Sequence, residues 1–216
     1  HGGLILGKAN LSEWANFLCD GCPNGYSAVG GQTLNPYGPR ELDTGGSSSG
    51  SAVAVAVNYA PAAVGSETSG SILSPSSQQS TVGLKPTIGI LSQDGIVPIS
   101  STLDTPGPIT KNLTDNSILF SAMASAQDGS SGSKVPWEIK SIEDLNGIRF
   151  GVFKAFAKDS LYQKAITDLE NLGAKIIEID PEAMNFEGFV DLLSGDMKID
   201  LKNYLGTFAS EKVDVK

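Results

Sequence analysis

Hydrophobic and polar residues fall into blocks along the chain, and the blocks predict both helices and strands. A mostly apolar run from Ala52 to Val57 precedes a β-branched, alanine-rich segment that ends at Val64. The alternation of apolar residues between Ser51 and Ala60 by itself suggests a strand, whereas the alanine content and the glycine-serine turn before it favour a helix. We therefore predict a buried helix here, followed by a buried strand that ends at Val64.

The last third of the chain has the pattern of a β-α-β unit. Apolar and β-branched residues predict strands at Ile148–Phe153 and Lys175–Ile179, and the segment between them predicts a helix from about Ser160 to Leu172. Gly173 is the expected end of that helix. Two strands joined by a crossover helix are expected to be parallel members of one sheet.

The first residues predict a short strand and then a helix. Leu4–Leu6 is an apolar run that we interpret as a buried strand ended by a glycine. Asn10 and Glu13 have the spacing of a capping box, which predicts a helix that runs to about Leu18. Trp14 and a phenylalanine three positions later would share the buried face of this helix.

Two more helices and a division of the chain are predicted in the second half. Amphipathic patterns indicate helices over about 112–126 and 196–208. The polar, Gly/Ser-rich segment 127–133 between them is interpreted as a surface connection. It would separate a chemistry-bearing region, 1–133, from a β-α-β and helical continuation, 134–216, within one partial domain.

Length, composition and charge exclude several classes of protein. The chain has 216 residues, of which 40% are hydrophobic, so it can build a sizeable core and is not disordered. Its formal net charge of −9 argues against nucleic acid as the main ligand. No stretch approaches the apolar length of a transmembrane helix, so no membrane partner is predicted.

Isolated cysteines and aspartates give weaker signals. Cys19 and Cys22 form a lone C-x-x-C, and His1 is the only histidine, so two of the four ligands of a structural zinc site are lacking. We interpret the pair as a loop feature, with a redox or metal role as the open alternative, and predict no metal site. Asp94 and Asp104 are interpreted as exposed turn residues, with a role as catalytic acids much less favoured.

Two clusters of glycine and serine flank the predicted helix and strand and carry the strongest chemical signal. Gly45–Ser51 leads into the helix, where free backbone N–H groups suit a developing negative charge. Glu67–Ser71 follows the strand, so a serine hydroxyl can lie beside successive N–H donors, as a serine nucleophile with an oxyanion hole requires. A phosphate-binding loop is the alternative, but neither cluster fits a Walker or dinucleotide fingerprint.

These clusters and their neighbours resemble the amidase signature enzymes, in four blocks that occur in the family's order. The blocks are G-G-S-S-S-G-S at Gly45–Ser51, G-S-E-T-S-G-S-I at Gly65–Ile72, P-S-S at Pro75–Ser77 and G-L-K-P-T at Gly83–Thr87. The later G-I-V-P-I-S and D-T-P-G-P-I are similar to those of peptide amidases. The resemblance implies an α/β fold, the amidase signature fold, in which a central mixed β-sheet is covered by helices on both faces, here in part.

The resemblance also implies a Ser–Ser–Lys triad and its site residues. The nucleophile matches Ser71, and the bridging serine matches Ser47, preceded by a cis peptide bond from Gly46. The spacing of the two serines agrees with that of the family. The oxyanion hole would consist of backbone N–H groups at Thr68, Ser69, Gly70 and Ser71.

The third member of the triad has no match in this sequence. In the family the catalytic lysine lies upstream of a G-K segment that matches Gly7 and Lys8, and no lysine precedes Lys8. Lys85 matches the lysine of G-L-K-P-T, which is not the general base. We therefore expect these residues to be an internal piece of a longer enzyme, and the remainder of that chain to be the partner the site requires.

A loop upstream of the serine clusters supplies candidate substrate-binding residues. The segment from Gly30 to Pro36 resembles the family's G-x-T-x-N-P, and in the family the loop before it lies near the substrate. Ser27, Gly30, Gly31 and Gln32 are the candidates. A loop that only packs beneath the serine cluster is an equally open interpretation.

The function implied by the resemblance is hydrolysis of an amide to a carboxylate and ammonia through an acyl-enzyme, without metal or organic cofactor. The substrate would be a small-molecule or peptide amide. One alternative is the amidase component of a glutamyl-tRNA(Gln) amidotransferase, against which Leu73 counts because it replaces a common arginine. The other is a non-catalytic amidase-like binding protein, against which the intact Ser47 and Ser71 argue. Without the lysine, the chain alone is expected to be inactive.

Overall fold

The computed structural model describes residues 3–19, 21–125, 144–180 and 185–209. The chain forms two compact units, His1–Ile139 with Val190–Lys216, and Lys140–Phe189. Helices and strands occur in both, which confirms the predicted α/β class. The predicted connection over 127–133 lies outside the described residues.

The helix and strand predicted around the serine clusters are present in the first unit. Helix α1 is Ser49–Ala56, so it ends four residues earlier than the pattern suggests. Strand β3 is Ala62–Glu67, so it continues three residues beyond the predicted end at Val64. The side chains of Ala52, Val55, Ile72 and Ile109 are fully buried and form the hydrophobic core. A core of this kind holds the helix and the strand in a fixed relation, which positions the two glycine-serine clusters that flank them.

Strand β5, Thr105–Thr110, lies in the middle of a three-stranded antiparallel sheet between β3 and β4, Val82–Gly83. The sequence pattern did not predict β5, because Pro106 and Pro108 argue against a central strand. The carbonyl oxygen of Pro108 accepts a hydrogen bond from the Leu84 N–H at 3.1 Å, so both prolines direct their backbone toward β4. The missing N–H groups therefore point away from β3, and the pairing of β5 with β3 stays intact over all six residues.

Gly107 in β5 provides a test of this packing. A Cβ atom at this position would collide with the carbonyl oxygen of Leu84 and lie 2.8 Å from the Ile72 side chain. We expect Gly107→Ala to lower the free energy of unfolding by about 3 kcal/mol, measured by urea denaturation. Gly195→Ala is the matched control, because a Cβ atom there meets nothing within 4 Å. Equal stability of the two variants would contradict the packing.

The second unit contains the predicted β-α-β arrangement. Strands β6, Arg149–Phe153, and β7, Lys175–Ile179, are parallel, and helix α4, Ser160–Asn171, connects them. The Asp159 side chain caps α4 by accepting from two backbone N–H groups of its first turn. Gly173, with φ of +88°, follows the helix as predicted.

The remaining helices are α2, Leu73–Gln78, α3, Leu113–Ser125, and α5, Phe189–Phe208. Helix α3 confirms its prediction, and the Asn112 side chain accepts a hydrogen bond from a backbone N–H in its first turn. Helix α5 begins seven residues earlier than predicted, and its buried leucine and methionine side chains recur every fourth residue. None of the helices in the described ranges is long and apolar enough to cross a membrane.

The predictions for residues 4–18 are wrong. Leu4–Leu6 is not a strand: its side chains are exposed, and no strand among the described residues pairs with it. Residues Glu13–Asn16 form one 3-10 turn instead of an α-helix, with left-handed backbone at Trp14 and Ala15. The Trp14 side chain is 45% exposed, so it does not lie on a buried helix face.

Distant hydrogen bonds explain why the capping-box residues do not start a helix. The Asn10 amide donates to the carbonyl oxygens of Gly25 and Gly31, and the Glu13 carboxylate accepts from the Ala28 N–H at 2.6 Å. These partners lie in and beside a hairpin formed by β1, Tyr26–Ser27, and β2, Gly31–Gln32. Both side chains are therefore used to hold this hairpin.

Cys19 and Cys22 are joined by a disulfide, with Cα atoms 5.5 Å apart. The bond closes a loop of only a few residues, in keeping with the interpretation of the C-x-x-C as a local loop feature. Disulfide sulfurs are not thiolate ligands, so the pair does not bind a metal in this form. The described residues contain no other group of histidine, cysteine and carboxylate side chains that could hold a metal ion.

Candidate active site

The first glycine-serine cluster places Ser47 at the base of a cleft. The peptide bond between Gly46 and Ser47 is cis, as the resemblance implies. The side chain of Ser47 is only 2% exposed, and its carbonyl oxygen accepts from the Ser12 N–H at 3.0 Å. The Ser48 N–H donates to the carbonyl oxygen of Ser71 at 3.1 Å. This bond ties the two serine-bearing segments directly to each other.

The carboxylate of Glu67 shapes the turn that carries Ser71. Glu67 is the last residue of β3, and its side chain is only 4% exposed. It accepts hydrogen bonds from the backbone N–H groups of Gly70 at 2.8 Å, Ile72 at 2.7 Å and Leu73 at 2.9 Å. A single buried side chain therefore fixes the backbone on both sides of Ser71, which is how the sequence E-T-S-G-S-I folds into a tight turn before α2.

The hydrogen bonds of Glu67 divide the four N–H groups predicted to form an oxyanion hole into bonded and unbonded donors. The N–H of Gly70 is bonded to Glu67. The N–H groups of Thr68, Ser69 and Ser71 make no hydrogen bond within the described ranges. These three donors remain available to an external acceptor, whereas Gly70 contributes the left-handed backbone, with φ of +84°, that the turn needs.

Ser47 and Ser71 line the same cleft, whose cavity volume is about 20 Å³. The turn after β3 contributes polar atoms to the cleft, and Ala15 and the segment 96–99 contribute apolar surface. The full lining is Ala15, Ser47, Ser66, Glu67, Thr68, Ser71, Ile96, Val97, Ile99 and Asp104. Among the described residues, neither the Ser47 nor the Ser71 hydroxyl has a hydrogen-bond partner. The arrangement thus offers two serines in the lining of one cleft, beside unpaired backbone donors.

Asp104 lines the same cleft and is buried, so its interpretation as an exposed turn residue was wrong. Its side chain is 5% exposed. One carboxylate oxygen accepts a short hydrogen bond from the Thr68 hydroxyl, and the other accepts from the N–H groups of Ile99 at 2.8 Å and Ser100 at 3.0 Å. The position of Asp104 just before β5 gave no signal, because β5 itself was not predicted. Asp94, by contrast, lies in an exposed turn as expected.

The four predicted substrate-binding residues are not brought into this cleft. The Ser27 hydroxyl donates to the Asn10 side chain, and the Gly30 N–H donates to the Ser27 hydroxyl. The carbonyl oxygen of Gly31 accepts from Asn10, and the Gln32 amide donates to backbone carbonyls of its own loop. All four stabilise the β1–β2 hairpin, and their role in substrate binding stays a prediction.

Comparisons with known proteins identify the family of this chain. The amidase family model matches residues 1–195. A probable amidase of Arabidopsis thaliana is 40% identical over 185 residues, which are 82% of this chain and 36% of that protein. A component of the glutamyl-tRNA(Gln) amidotransferase of Salinispora arenicola is 36% identical over 194 residues, covering 82% of this chain and 38% of its own.

A solved structure, the peptide amidase PAM in complex with the competitive inhibitor chymostatin, superimposes with a TM-score of 0.80 at 36% identity. The match covers 95% of this chain and 45% of that one. The chain therefore spans less than half the length of these relatives. The similarity confirms the amidase signature fold for the part that is present. Taken together, the family match, the relatives and the fold establish that this chain belongs to the amidase family.

Proposed function

We propose that the full-length protein hydrolyses amides through a serine nucleophile, Ser71. The observation that carries the proposal is the shared cleft, in which Ser71 and Ser47 lie beside N–H groups without intramolecular partners. Separate segments of the chain supply the two serines, and the bond from the Ser48 N–H to the Ser71 carbonyl joins those segments. A folding motif alone gives no reason for two unpaired hydroxyls at one cleft.

In the proposed mechanism the Ser71 hydroxyl attacks the carboxamide carbon. Ser47 accepts the proton of Ser71 and passes it, through the family's lysine, to the leaving ammonia. N–H groups of the 68–71 turn stabilise the oxyanion, each by roughly 3–4 kcal/mol in a comparable site. Water then hydrolyses the acyl-enzyme and restores Ser71. Each step is a proton transfer or an acyl transfer, so the residues named are sufficient and no cofactor is required.

A peptide or other neutral amide is the substrate class that the site favours. Ile96, Val97 and Ile99 give one wall of the cleft an apolar surface. Leu73, instead of an arginine, follows the nucleophile turn, so no cation is placed there for a carboxylate substrate. The structural similarity to the peptide amidase PAM, a protein solved with a competitive inhibitor, supports the same class.

Two other functions remain as alternatives. The amidase component of an amidotransferase would release ammonia from glutamine for a partner, and the similarity to the Salinispora arenicola protein favours this candidate. The residue at position 73 counts against it. A non-catalytic binding protein would have no need of paired serines in a cleft, so this candidate has no observation in its favour.

Ammonia release distinguishes the candidates. We expect the full-length protein to release ammonia from C-terminally amidated peptides and much less from free glutamine. The isolated 216-residue chain should give no turnover above that of its Ser71→Ala variant, because in the proposed mechanism Ser47 then lacks its base. Turnover by the isolated chain that Ser71→Ala abolishes would contradict the need for the lysine. A preference for glutamine would favour the amidotransferase.

A further inference from the structure

The segment Ile99–Asp104, here called the 99–104 turn, borders the candidate active site and is closed by Asp104. The Asp104 N–H donates to the carbonyl oxygen of Ser100 at 2.8 Å. One oxygen of its carboxylate accepts from the N–H groups of Ile99 and Ser100. The other oxygen accepts from the hydroxyl of Thr68. A single carboxylate thus connects the 99–104 turn to the backbone segment that offers unpaired N–H groups.

Helix α5 holds the same turn from another side. The carboxylate of Asp196 accepts from the hydroxyls of Ser100 and Thr102, both at 2.6 Å. These two bonds, the Ser100 bond first, lower the pKa of Asp196. The carboxylate of Asp200 accepts from the Ser101 N–H at 2.7 Å. Asp196 and Asp200 are four residues apart, so both lie on one face of the helix.

We propose that Asp104 is a positioning residue for the oxyanion-binding turn, acting through Thr68, and that Asp196 and Asp200 of α5 fix Asp104 by holding the 99–104 turn. The inference rests on the proposed function, because it assigns a consequence to the placement of the Thr68 segment. It adds three carboxylates that touch neither the nucleophile nor the bridging serine through any described hydrogen bond.

The bonding pattern of Asp104 favours positioning over acid-base chemistry. Both of its carboxylate oxygens are occupied by donors from the protein, three in all. A buried carboxylate that holds three donors through both oxygens is a fixed anchor, because breaking any one bond leaves polar groups unpaired. An oxyanion donor must lie within a few tenths of an ångström of its ideal distance, so an anchor on Thr68 affects the transition state more than substrate binding.

The pair Thr68→Val and Thr68→Ser in the full-length protein tests the role of the hydroxyl. Valine keeps the shape of threonine but removes the hydrogen bond to Asp104, whereas serine keeps the bond. We expect kcat on an amidated peptide to fall roughly 10- to 100-fold for Thr68→Val, with KM changed less than about threefold, and to be restored nearly fully by serine. Asp94→Asn is the control, because Asp94 is an exposed carboxylate outside the 99–104 turn.

A double-mutant cycle with Asp104→Asn extends the test. If the two side chains act through one bond, the losses in kcat should be clearly non-additive. Asp196→Asn should produce a smaller loss in kcat, again with little change in KM. A Thr68→Val variant with wild-type kcat, additive effects in the cycle, or equal losses in kcat for valine and serine would each overturn the proposal.

Active-site labelling separates failure of this inference from failure of the proposed function. The wild-type protein and each variant are treated with a fluorophosphonate, which reacts with activated serine nucleophiles. If wild type is not labelled at Ser71, the proposed function fails. If wild type is labelled there and Thr68→Val hydrolyses amides at the wild-type rate, only the positioning role fails. Thermal unfolding identifies variants that do not fold. If Thr68→Val does not fold, the kcat of Thr68→Ser relative to wild type decides whether the positioning role holds.

Discussion

Replacement of Ser71 by alanine in the full-length protein should abolish amide hydrolysis. Loss of the nucleophile of a serine hydrolase reduces kcat by about 10⁶-fold in a well-studied case. Stability should change by less than about 0.5 kcal/mol, because the Ser71 hydroxyl makes no hydrogen bond among the described residues. The measurement is ammonia release from an amidated peptide, together with urea unfolding of the same preparation.

Ser74→Ala is the matched control for Ser71→Ala. Ser74 lies three residues further along, and its side chain is exposed on α2. Its variant should keep activity within about twofold of wild type. Retention of more than about one hundredth of the wild-type kcat by Ser71→Ala would show that another residue performs the attack, since removal of a nucleophile leaves far less.

Replacement of Glu67 should have the largest effect on stability. Glu67 is 4% exposed, and its carboxylate accepts from three backbone N–H groups at 2.7–2.9 Å. Glu67→Ala leaves all three donors without their acceptor, and each hydrogen bond to a charged group contributes about 1.5–3 kcal/mol. We expect a loss of roughly 4 kcal/mol or more in the free energy of unfolding, measured by urea denaturation, with loss of activity because the Ser71 turn is no longer fixed.

A series at position 67 separates the acceptor from the charge. Glu67→Gln retains one oxygen, which can still accept from Ile72 and Leu73, but its amide group would face the N–H of Gly70. It should therefore lose less stability than Glu67→Ala, about 1–3 kcal/mol. Glu41→Gln, at an exposed site, should be neutral. A Glu67→Ala protein within about 1 kcal/mol of wild type would contradict the role assigned to this carboxylate.

Local periodicity was sufficient where elements are stabilised by neighbours in sequence. The β-α-β unit carries its own start and end signals, Asp159 and Gly173, and was predicted almost to the residue. The helix predicted over residues 10–18 was wrong because this segment is stabilised by residues distant in sequence. Its two capping residues, Asn10 and Glu13, bond to a hairpin 15 or more positions away, and no local pattern contains that information.

Strand β5 was not predicted because its two prolines were taken as evidence against a strand, without regard to the direction in which their backbone faces. Whether a proline disrupts a central strand depends on which neighbour its missing N–H would have faced. The N–H groups that Pro106 and Pro108 lack would point away from β3, toward the chain that follows β4, and this is knowable only once the pairing is known. The omission of β5 also concealed Asp104, whose partners lie in a different part of the chain.

The candidate site was predictable only in part. Ser47 and Ser71 were implied by the resemblance to the amidase signature enzymes, and the structure places both in one cleft. The hydrogen bonds made by Glu67 could not be predicted from the sequence. The length of the glutamate side chain decides which backbone N–H groups its carboxylate can contact. The carboxylate bonds to the N–H of Gly70, whereas the N–H groups of Thr68, Ser69 and Ser71 stay unpaired.

Mass spectrometry of the full-length protein after reaction with a fluorophosphonate tests the nucleophile most directly. The reagent phosphonylates an activated serine, so peptide mapping identifies the attacking residue without any assumption about substrate. We expect one adduct, on Ser71, that is absent from Ser71→Ala and weaker in Ser47→Ala. Labelling on another serine, or equal labelling of the Ser71→Ala protein, would contradict the assignment of Ser71 as the nucleophile.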